Sequence, residues 1–178
     1  MSDGAAVDGA RRTDLIEIRD LCMRFRTQSV LRGINLTIHR GETVCIIGES
    51  GCGKTVMLKL IIGLLHPTEG GVWFDGMDVN RLGGKQLVKL RLRFGFLFQM
   101  AALFDSLTIY DNVAFGLREH HLRSEEDIRT IVADRLQEVG LPAGLERKKP
   151  AELSGGQRKR VGLARALALN PEVMLYDE

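Results

Sequence analysis

Residues 48–55 read Gly48-Glu49-Ser50-Gly51-Cys52-Gly53-Lys54-Thr55, and this stretch decides the fold because it matches the pattern GxxxxGK[ST] without a mismatch. A continuous apolar run at 45–47 precedes it, which is typical of a strand buried on both faces. A segment with helical spacing of apolar residues, 54–65, follows it. The order strand, glycine-rich loop, helix predicts an α/β fold with a phosphate-binding loop.

The residue types in this P-loop suit phosphate chemistry. Glycines let backbone N–H groups turn inward around phosphate oxygens, and the start of the following helix adds positive potential. Lys54 supplies a point charge for the β- and γ-phosphates of a nucleotide, and the Thr55 hydroxyl is suited to bind Mg²⁺. The alternative is a glycine-rich turn that only joins a strand to a helix. We therefore expect nucleotide contacts from Gly48, Glu49, Ser50, Gly51, Cys52, Gly53, Lys54 and Thr55.

A second motif lies at 153–157, where the sequence reads LSGGQ. Ser154, Gly155 and Gly156 precede a segment with helical spacing, so backbone N–H groups at a helix start can again face an anion. An ordinary capped helix start, with Ser154 as N-cap and flexible glycines, explains the same residues equally well. The motif is therefore informative only together with the P-loop.

Patterns elsewhere predict the remaining elements. Strands are expected within 15–39 and at 72–75, 94–98 and 173–176, where β-branched and aromatic residues lie between polar turns. Helices are expected at 85–92, after Ser124, and at 154–169. Ser124 is a suitable N-cap, because three acidic residues follow it and match the positive end of the helix dipole.

With both motifs in one chain, the sequence resembles the ABC-type ATPases over essentially its whole length after the first residues. The resemblance implies an α/β P-loop NTPase core with an antiparallel β subdomain and a helical insert, incomplete at the C-terminus. The composition of residues 1–13 predicts a mobile tail, and the resemblance implies an ATPase domain at 14–178. Within that domain we expect the nucleotide-binding core and β subdomain at 14–99, a helical subdomain at 100–153, and the signature helix with the Walker B strand at 154–178.

The resemblance also assigns roles to single residues. Phe25 matches an aromatic that stacks on adenine, although Met23 competes for this position and an aromatic in a strand usually packs in a core. Gln99 matches the Q-loop glutamine, which meets Mg²⁺ and the attacking water, whereas a lone Gln after an apolar strand is otherwise a polar strand end. Asp177 would hold Mg²⁺ through water and Glu178 would polarise the attacking water, so Gln99 and Glu178 are the catalytic candidates.

In ABC ATPases each nucleotide lies between the P-loop of one copy and the LSGGQ motif of another. The resemblance therefore implies a head-to-tail dimer with ATP and Mg²⁺ as cofactors. The residues that would bind ATP in trans are Ser154, Gly155, Gly156 and Gln157. The helical insert is the part that in this family meets the coupling helices of a membrane permease.

Residues 98–120 sharpen the resemblance, because FQ, ALFDS, NVAF and LREH also recur in the ATPase subunit of Mla/Mce-type phospholipid transporters. This implies an ATP-hydrolysing subunit that powers transport of phospholipids or other lipids across or between membranes. Its implied partners are transmembrane permease subunits and a lipid-binding Mce-type subunit. The permease would hold the subunit at the inner face of the cell membrane.

Composition excludes several other classes. The chain has 178 residues, which suits one medium-sized domain. Its net charge of +2 is too small to indicate nucleic acid or an anionic membrane as the main partner. No apolar run approaches the roughly 18 residues that span a bilayer, and the N-terminus does not resemble a signal peptide, so we expect a cytoplasmic protein. Cys22, Cys45 and Cys52 are expected to be free thiols.

Two alternatives to a transport ATPase stay open. A non-transport ABC ATPase of DNA repair or chromosome organisation should have a long insertion between the two motifs. This alternative is disfavoured, because only 100 positions separate Lys54 from Ser154 in this chain. A nucleotide-binding fragment without turnover is the second alternative. The family continues past Walker B to a switch histidine, whereas no histidine follows Glu178. We therefore expect a chain truncated after Walker B that binds Mg-ATP weakly and hydrolyses it near background.

Overall fold

The computed structural model describes residues 13–177. The tail predicted at 1–13 falls almost entirely outside the described residues, and so does Glu178. The described chain forms two units, divided between Leu82 and Gly83. The boundaries predicted from the sequence at 99/100 and 153/154 stay predictions.

The first unit contains an antiparallel sheet, as predicted. Its strands are β1 (Asp14–Phe25), β2 (Gln28–His39), β3 (Glu69–Phe74) and β4 (Met77–Asp78). They lie in the order β2-β1-β3-β4, and every neighbouring pair is antiparallel. A short 3-10 helix at Val79–Arg81 follows.

A bulge in β1 explains why its apolar residues do not alternate regularly. Ile18 and Leu21 are both buried although they are three residues apart, and the register with β2 shifts between them. Asp20 has φ +47° there, and its N–H and carboxylate form reciprocal hydrogen bonds with the Asn35 side chain at 2.9 and 3.0 Å. Gly70 of β3 lies so close that a β-carbon would sit 2.2 Å from the Asp20 carbonyl oxygen. The bulge therefore requires glycine at position 70.

Helix α1 (Lys54–Ile61) starts where the sequence predicts and ends before the predicted residue 65. Gly63 has φ +64°. The Leu64 N–H donates to the Lys59 carbonyl at 2.8 Å, and the Gly63 N–H donates to the Leu60 carbonyl at 3.1 Å. This is the Schellman helix end, which a glycine after the last turn favours.

The strand predicted at 45–47 is not formed, which corrects the sequence interpretation. Residues 42–49 have no regular secondary structure, Val44 is 37% exposed and Ile47 is 90% exposed. An apolar run becomes a buried strand only where neighbouring strands supply backbone partners. Within residues 13–177, no strand pairs with this segment. Cys45 is consequently exposed rather than buried.

The second unit combines helices with a two-stranded parallel sheet. Its helices are α2 (Gly84–Leu92), α3 (Ile109–Glu119), α4 (Glu125–Glu138) and α5 (Gly155–Ala168), with a 3-10 turn at Pro150–Glu152. The strands β5 (Phe94–Leu97) and β6 (Val173–Tyr176) pair in parallel. The bounds of α2, α5, β5 and β6 agree with the predicted elements to within one residue. Helix α4 follows the predicted N-cap Ser124, which accepts a hydrogen bond from the Asp127 N–H at 3.2 Å. The sequence patterns gave no bounds for α3.

One apolar core joins α3, α4 and α5. Its buried members are Ile109, Val113, Ala114, Leu117, Ile128, Val132, Leu136, Leu141, Leu145, Leu153, Val161, Ala164 and Ala168. The exposed Arg160 of α5 also donates to the Gly140 carbonyl just after α4, at 2.9 Å. Among the helices of the described residues, none combines the length and hydrophobicity that a bilayer crossing needs.

A charged group near the surface connects α3 to α4. The Arg118 guanidinium donates to Asp111 at 2.8 Å and to both carboxylate oxygens of Glu125 at 2.8 and 2.7 Å. The hydrogen bond from the Thr108 hydroxyl and the contact with Arg118 lower the pKa of Asp111. The hydrogen bond from Arg118 lowers the pKa of Glu125. Both carboxylates are therefore favoured in the folded state.

We expect the Arg118→Met variant to lose less unfolding free energy than the parent when the pH is lowered. Carboxyls with depressed folded-state pKa values stabilise the protein fully above their ordinary pKa values, about 3.9 and 4.3, and this stabilisation is lost as the pH falls through the lower folded-state values. Parent and variant should therefore differ most in unfolding free energy near about pH 6, by a small amount because solvent screens the exposed pairs, and should converge as the pH falls below the lowered folded-state pKa values. Urea unfolding across this range measures the difference.

Arg123→Met is the matched control, because the exposed Arg123 guanidinium donates to a backbone carbonyl. Its unfolding free energy should stay parallel to that of the parent. If the unfolding free energy of Arg118→Met differed from that of the parent by the same amount at every pH, the assigned pKa directions would be contradicted.

Candidate functional site

The glycine-rich loop of the first unit is curled tightly on itself. A β-carbon at Gly48 would lie 2.7 Å from the Cys52 sulfur, and the Cys52 N–H donates back to the Glu49 carbonyl at 3.3 Å. Gly51 and Gly53 have φ values of +81° and +105°. Left-handed residues at alternate positions turn neighbouring N–H groups toward one side, which forms a concave anion site. The loop therefore has the shape that a phosphate group requires.

Lys54 and the start of α1 add positive potential to this loop. The Lys54 ammonium donates to the carbonyls of Gly48 and Glu49 at 2.9 and 3.0 Å, which holds it over the loop. The N-cap of α1 is Gly53, which has no side chain to accept from the first turn, and that turn contains no acidic residue. Because no carboxylate offsets the helix dipole locally, the start of α1 favours an anionic ligand. Thr55 is in this first turn.

Phe25 lies at the end of β1 and is 43% exposed. This exposure disagrees with the alternative that it packs in the core, whereas the competing Met23 is 8% exposed and does pack there. A depression of about 280 Å³ lies beside this strand end; it is lined by Cys22, Met23, Arg24, Ser29, Leu31, Arg32, Thr68 and Glu69. Stacking of Phe25 on adenine stays a prediction.

Gln99 follows β5 and Asp177 follows β6, so both residues lie at the same edge of the second unit's sheet. Leu97 at the end of β5 pairs with Tyr176 at the end of β6, and the Asp177 N–H donates to the Leu97 carbonyl at 3.0 Å. Asp177 is 9% exposed, and Gln99 is exposed two residues after β5. The carboxyl edge of parallel strands is where α/β proteins bind ligands. The structure thus places these two residues at one edge of the sheet, whereas Glu178 lies outside the described residues.

The LSGGQ motif forms a reciprocal cap at the start of α5. The Ser154 hydroxyl accepts from the Gln157 N–H at 3.2 Å, and the Gln157 side chain accepts from the Ser154 N–H at 2.9 Å. The ordinary capped helix start is therefore present, and it does not exclude a binding role because Ser154, Gly155 and Gly156 are all exposed. The nearby Arg158 side chain donates to the Leu153 carbonyl at 2.6 Å.

Two residues that hold the loop after Gln99 were not identified from the sequence. Asn112 of α3 is fully buried, and its amide accepts from the Phe104 N–H at 2.8 Å and donates to the Phe104 and Thr108 carbonyls at 3.1 and 2.9 Å. Arg165 of α5 donates to the carbonyls at 101 and 102. A polar residue within an apolar helical face was a usable signal for Asn112, whereas Arg165 resembles any solvated helix residue in the sequence.

Comparison with known proteins agrees with this geometry. Residues 31–178 match the sequence model of a family that is described as "ABC transporter". The probable ribonucleotide transport ATP-binding protein mkl of Mycobacterium leprae is 46% identical over 98% of this chain and 51% of its own length. The intermembrane phospholipid transport system ATP-binding protein MlaF of Haemophilus influenzae is 44% identical over 93% of this chain and 62% of its own length. The chain thus spans about half to three fifths of these relatives.

A solved structure shares the fold. The dimeric structure of a post-hydrolysis state of the ATP-binding cassette MJ0796, bound to ADP and Pi, is 36% identical to this chain with a TM-score of 0.86. The alignment covers 92% of this chain and 74% of that one. The α/β fold with an antiparallel β subdomain, expected from the sequence, is therefore confirmed.

We expect Gly53→Ala to destabilise the chain more than Gly51→Ala. Both residues have positive φ, so alanine costs about 1–2 kcal/mol at either position. At position 53 a β-carbon would additionally lie 2.9 Å from Val30 Cγ1 and Leu31 Cδ2, whereas at position 51 it meets nothing within 4 Å. Val30 is stiff at χ1, so the clash should add about 1 kcal/mol or more. Urea unfolding of both variants measures this difference, and equal losses would mean that the loop does not pack against β2.

Proposed function

This chain belongs to the ABC transporter family, and on that premise we propose that it is an ATPase subunit that binds Mg-ATP and powers a lipid transporter. The observation that carries the proposal is the curled loop at 48–55, with the Lys54 ammonium held over it and an uncapped helix start behind it. Hydrolysis would release ADP and phosphate, and the free energy would drive the partner permease.

Each residue of the loop has a proposed role. The backbone of 48–53 surrounds the phosphates, Lys54 exchanges its carbonyl partners for β- and γ-phosphate oxygens, and the Thr55 hydroxyl holds Mg²⁺. Phe25 stacks on the adenine ring, for which its exposed position at a strand end is suitable. The bound ion neutralises charge that develops on the phosphates when it is present.

The proposed catalytic residues are Gln99, Asp177 and Glu178, and the end of β5 and β6 near Gln99 and Asp177 is here called the catalytic edge. Asp177 would hold Mg²⁺ through water, Gln99 would orient the attacking water and contact the ion, and Glu178 would polarise that water as the general base. The shared strand edge of Gln99 and Asp177 supports this assignment.

A second copy of the chain completes the proposed site. Ser154, Gly155, Gly156 and Gln157 would bind the nucleotide held by the other copy, in a head-to-tail dimer. Eleven residues of continuous helix separate Ser154 from Arg165, which is about 16 Å. Because Arg165 contacts the turn after Gln99, the motif and the catalytic edge of one copy lie apart, and this separation supports binding in trans.

The permease would dock on an apolar surface beside α3, which we call the docking face and define as Met100, Leu107, Phe104 and Phe115. Phe104 and Phe115 are 42% and 39% exposed, their ring centroids are 4.7 Å apart, and Met100 is 87% exposed. A depression of about 400 Å³ adjoins them, lined by Leu107, Asp111, Phe115, Arg118, Glu119 and His121. Exposed aromatic residues with a charged rim are typical of protein interfaces.

The proposed substrate is a phospholipid, because the motif set at 98–120 is shared with lipid transporters and the similar MlaF is named for phospholipid transport. The Mycobacterium leprae relative is named for ribonucleotide transport, which supports a second candidate substrate. Mass spectrometry of molecules that co-purify with the assembled complex separates the two. The same purification would identify the permease and a Mce-type subunit, through which the chain would lie at the inner membrane face.

We expect Lys54→Ala to weaken Mg-ATP binding by about 10- to 100-fold, because a charge-assisted contact of about 1.5–3 kcal/mol is lost. Titration with a fluorescent Mg-ATP analogue measures the affinity. Lys59→Ala is the control, since Lys59 is in the last turn of the same helix. Equal effects of the two substitutions would show that the loop does not hold the phosphates.

We expect Phe104→Ser and Phe115→Ser to prevent capture of the permease while Mg-ATP affinity stays unchanged. Each change removes aromatic surface from the docking face, and such anchors commonly contribute 2 kcal/mol or more, by rough estimate. Capture from membranes that contain the co-expressed permease is the measurement. Val88→Ser on α2 is the control, because Val88 is similarly exposed at 40%. Normal capture by both Phe variants would remove the docking face from the proposal.

A further inference from the structure

The turn directly after Gln99 has an unfavourable backbone conformation. Ala101 has φ +60° and Ala102 has φ +45°. Left-handed conformations cost alanine free energy, and such residues persist only where surrounding contacts hold them. The turn starts with a hydrogen bond from the Ala101 N–H to the Phe98 carbonyl at 2.8 Å. Contacts from another element are therefore needed to explain it.

Arg165 of α5 supplies these contacts. Its Nη1 donates to the Ala102 carbonyl and its Nη2 donates to the Ala101 carbonyl, both at 2.8 Å. Its guanidinium carbon lies 5.9 Å from the centroid of the Phe104 ring. Burial lowers the pKa of Arg165, so the side chain has given up part of its hydration at this position. Two parallel donors on one rigid plane hold two consecutive carbonyls in a way that a lysine cannot.

The backbone of α5 also approaches the turn. A β-carbon at Gly162 would lie 3.1 Å from the Ala101 β-carbon, and Ala101 is 1% exposed. Gly162 and Arg165 are three residues apart and so lie on the same face of the helix. The small residue permits close approach, and the long residue holds the carbonyls.

We propose that Arg165 is a positioning residue, which holds the turn at 101–102 and thereby fixes Gln99 relative to the helix that begins at Ser154. The inference rests on the proposed role of Gln99 in nucleotide binding. Arg165 acts through the turn and not by contact with the nucleotide. Since Ser154 and Arg165 belong to one continuous helix, a movement of α5 displaces both ends of this connection together.

Amide hydrogen exchange on the whole chain tests the contact itself. Arg165→Met should accelerate exchange of the Ala101 and Phe104 amides by about tenfold or more, because two hydrogen bonds to a charged group are lost. Arg160→Met is the matched control, since Arg160 of the same helix donates one hydrogen bond to the Gly140 carbonyl. It should accelerate exchange near residue 140 and leave the turn unchanged.

Two further variants separate this role from a general loss of packing. Arg165→Lys keeps the charge but has a single nitrogen that can donate hydrogen bonds. The exchange rate of the turn amides should therefore lie between those of the parent and Arg165→Met. Ala102→Gly in the Arg165→Met background should restore most of the protection, because glycine adopts positive φ without strain. Unchanged exchange in Arg165→Met and Arg165→Lys, or a uniform increase across the unit that Ala102→Gly does not reverse, would overturn the proposal.

Mg-ATP titration then tests whether Arg165 acts through Gln99. Gln99→Ala and Arg165→Met should each weaken binding, and the double variant should be no weaker than Gln99→Ala alone. Additive losses would show that Arg165 does not act through Gln99. If Gln99→Ala binds Mg-ATP normally while Arg165→Met still accelerates exchange at the turn, the proposed role of Gln99 in nucleotide binding is wrong. The contact between Arg165 and the turn at 101–102 is then supported without it. If the exchange result fails, the positioning role is wrong whatever the titration gives.

Discussion

The loop at 48–55 is closed tightly around two positions that have no β-carbon. At Gly48 the cysteine sulfur of residue 52 occupies the space, and at Gly53 the side chains of β2 occupy it. This steric constraint sets where α1 begins, leaves its first turn without a side-chain cap, and brings the Lys54 ammonium back over the loop carbonyls. The potential that attracts a phosphate is therefore a consequence of backbone packing rather than of a cluster of basic side chains, which is consistent with a net charge of only +2.

Local signals in the sequence predicted most of the elements, because the interactions that define them are local. Ser124 and Ser154 cap helices as expected, and β6 begins and ends at the predicted residues. The error at 45–47 has a different origin: strand formation depends on partners elsewhere in the chain, and apolar composition carries no information about whether they pair. Arg165 was missed for a similar reason, since its two acceptors lie more than 60 residues away in the sequence. The candidate site residues Gln99 and Asp177 were suggested only through the resemblance, and their common sheet edge became visible only with the strand pairing.

Polar side chains, rather than apolar packing, define the segment between β5 and α3. This segment has no helix or strand of its own, so its backbone carbonyls and N–H groups need other partners. Asn112 satisfies Phe104 at one end, and Arg165 satisfies Ala101 and Ala102 at the other. Removing either side chain would leave backbone groups without their protein partners, and the cost should be largest at the buried Ala101. A polar clamp at each end fixes one conformation where hydrophobic contacts alone would permit several.

The same segment also connects the two proposed functions of the second unit. Gln99 lies at its start, and Phe104 of the docking face lies five residues later, where Asn112 binds its backbone. Because Arg165 holds the backbone at 101–102 and Asn112 holds it at 104, this stretch transmits a displacement better than a freely hinged loop would. A permease that contacts Phe104 would therefore act on Gln99 through the turn at 101–102, and nucleotide at Gln99 would act on the docking face through the same turn. Because coupling between two sites is reciprocal, one rigid connection is sufficient for both directions.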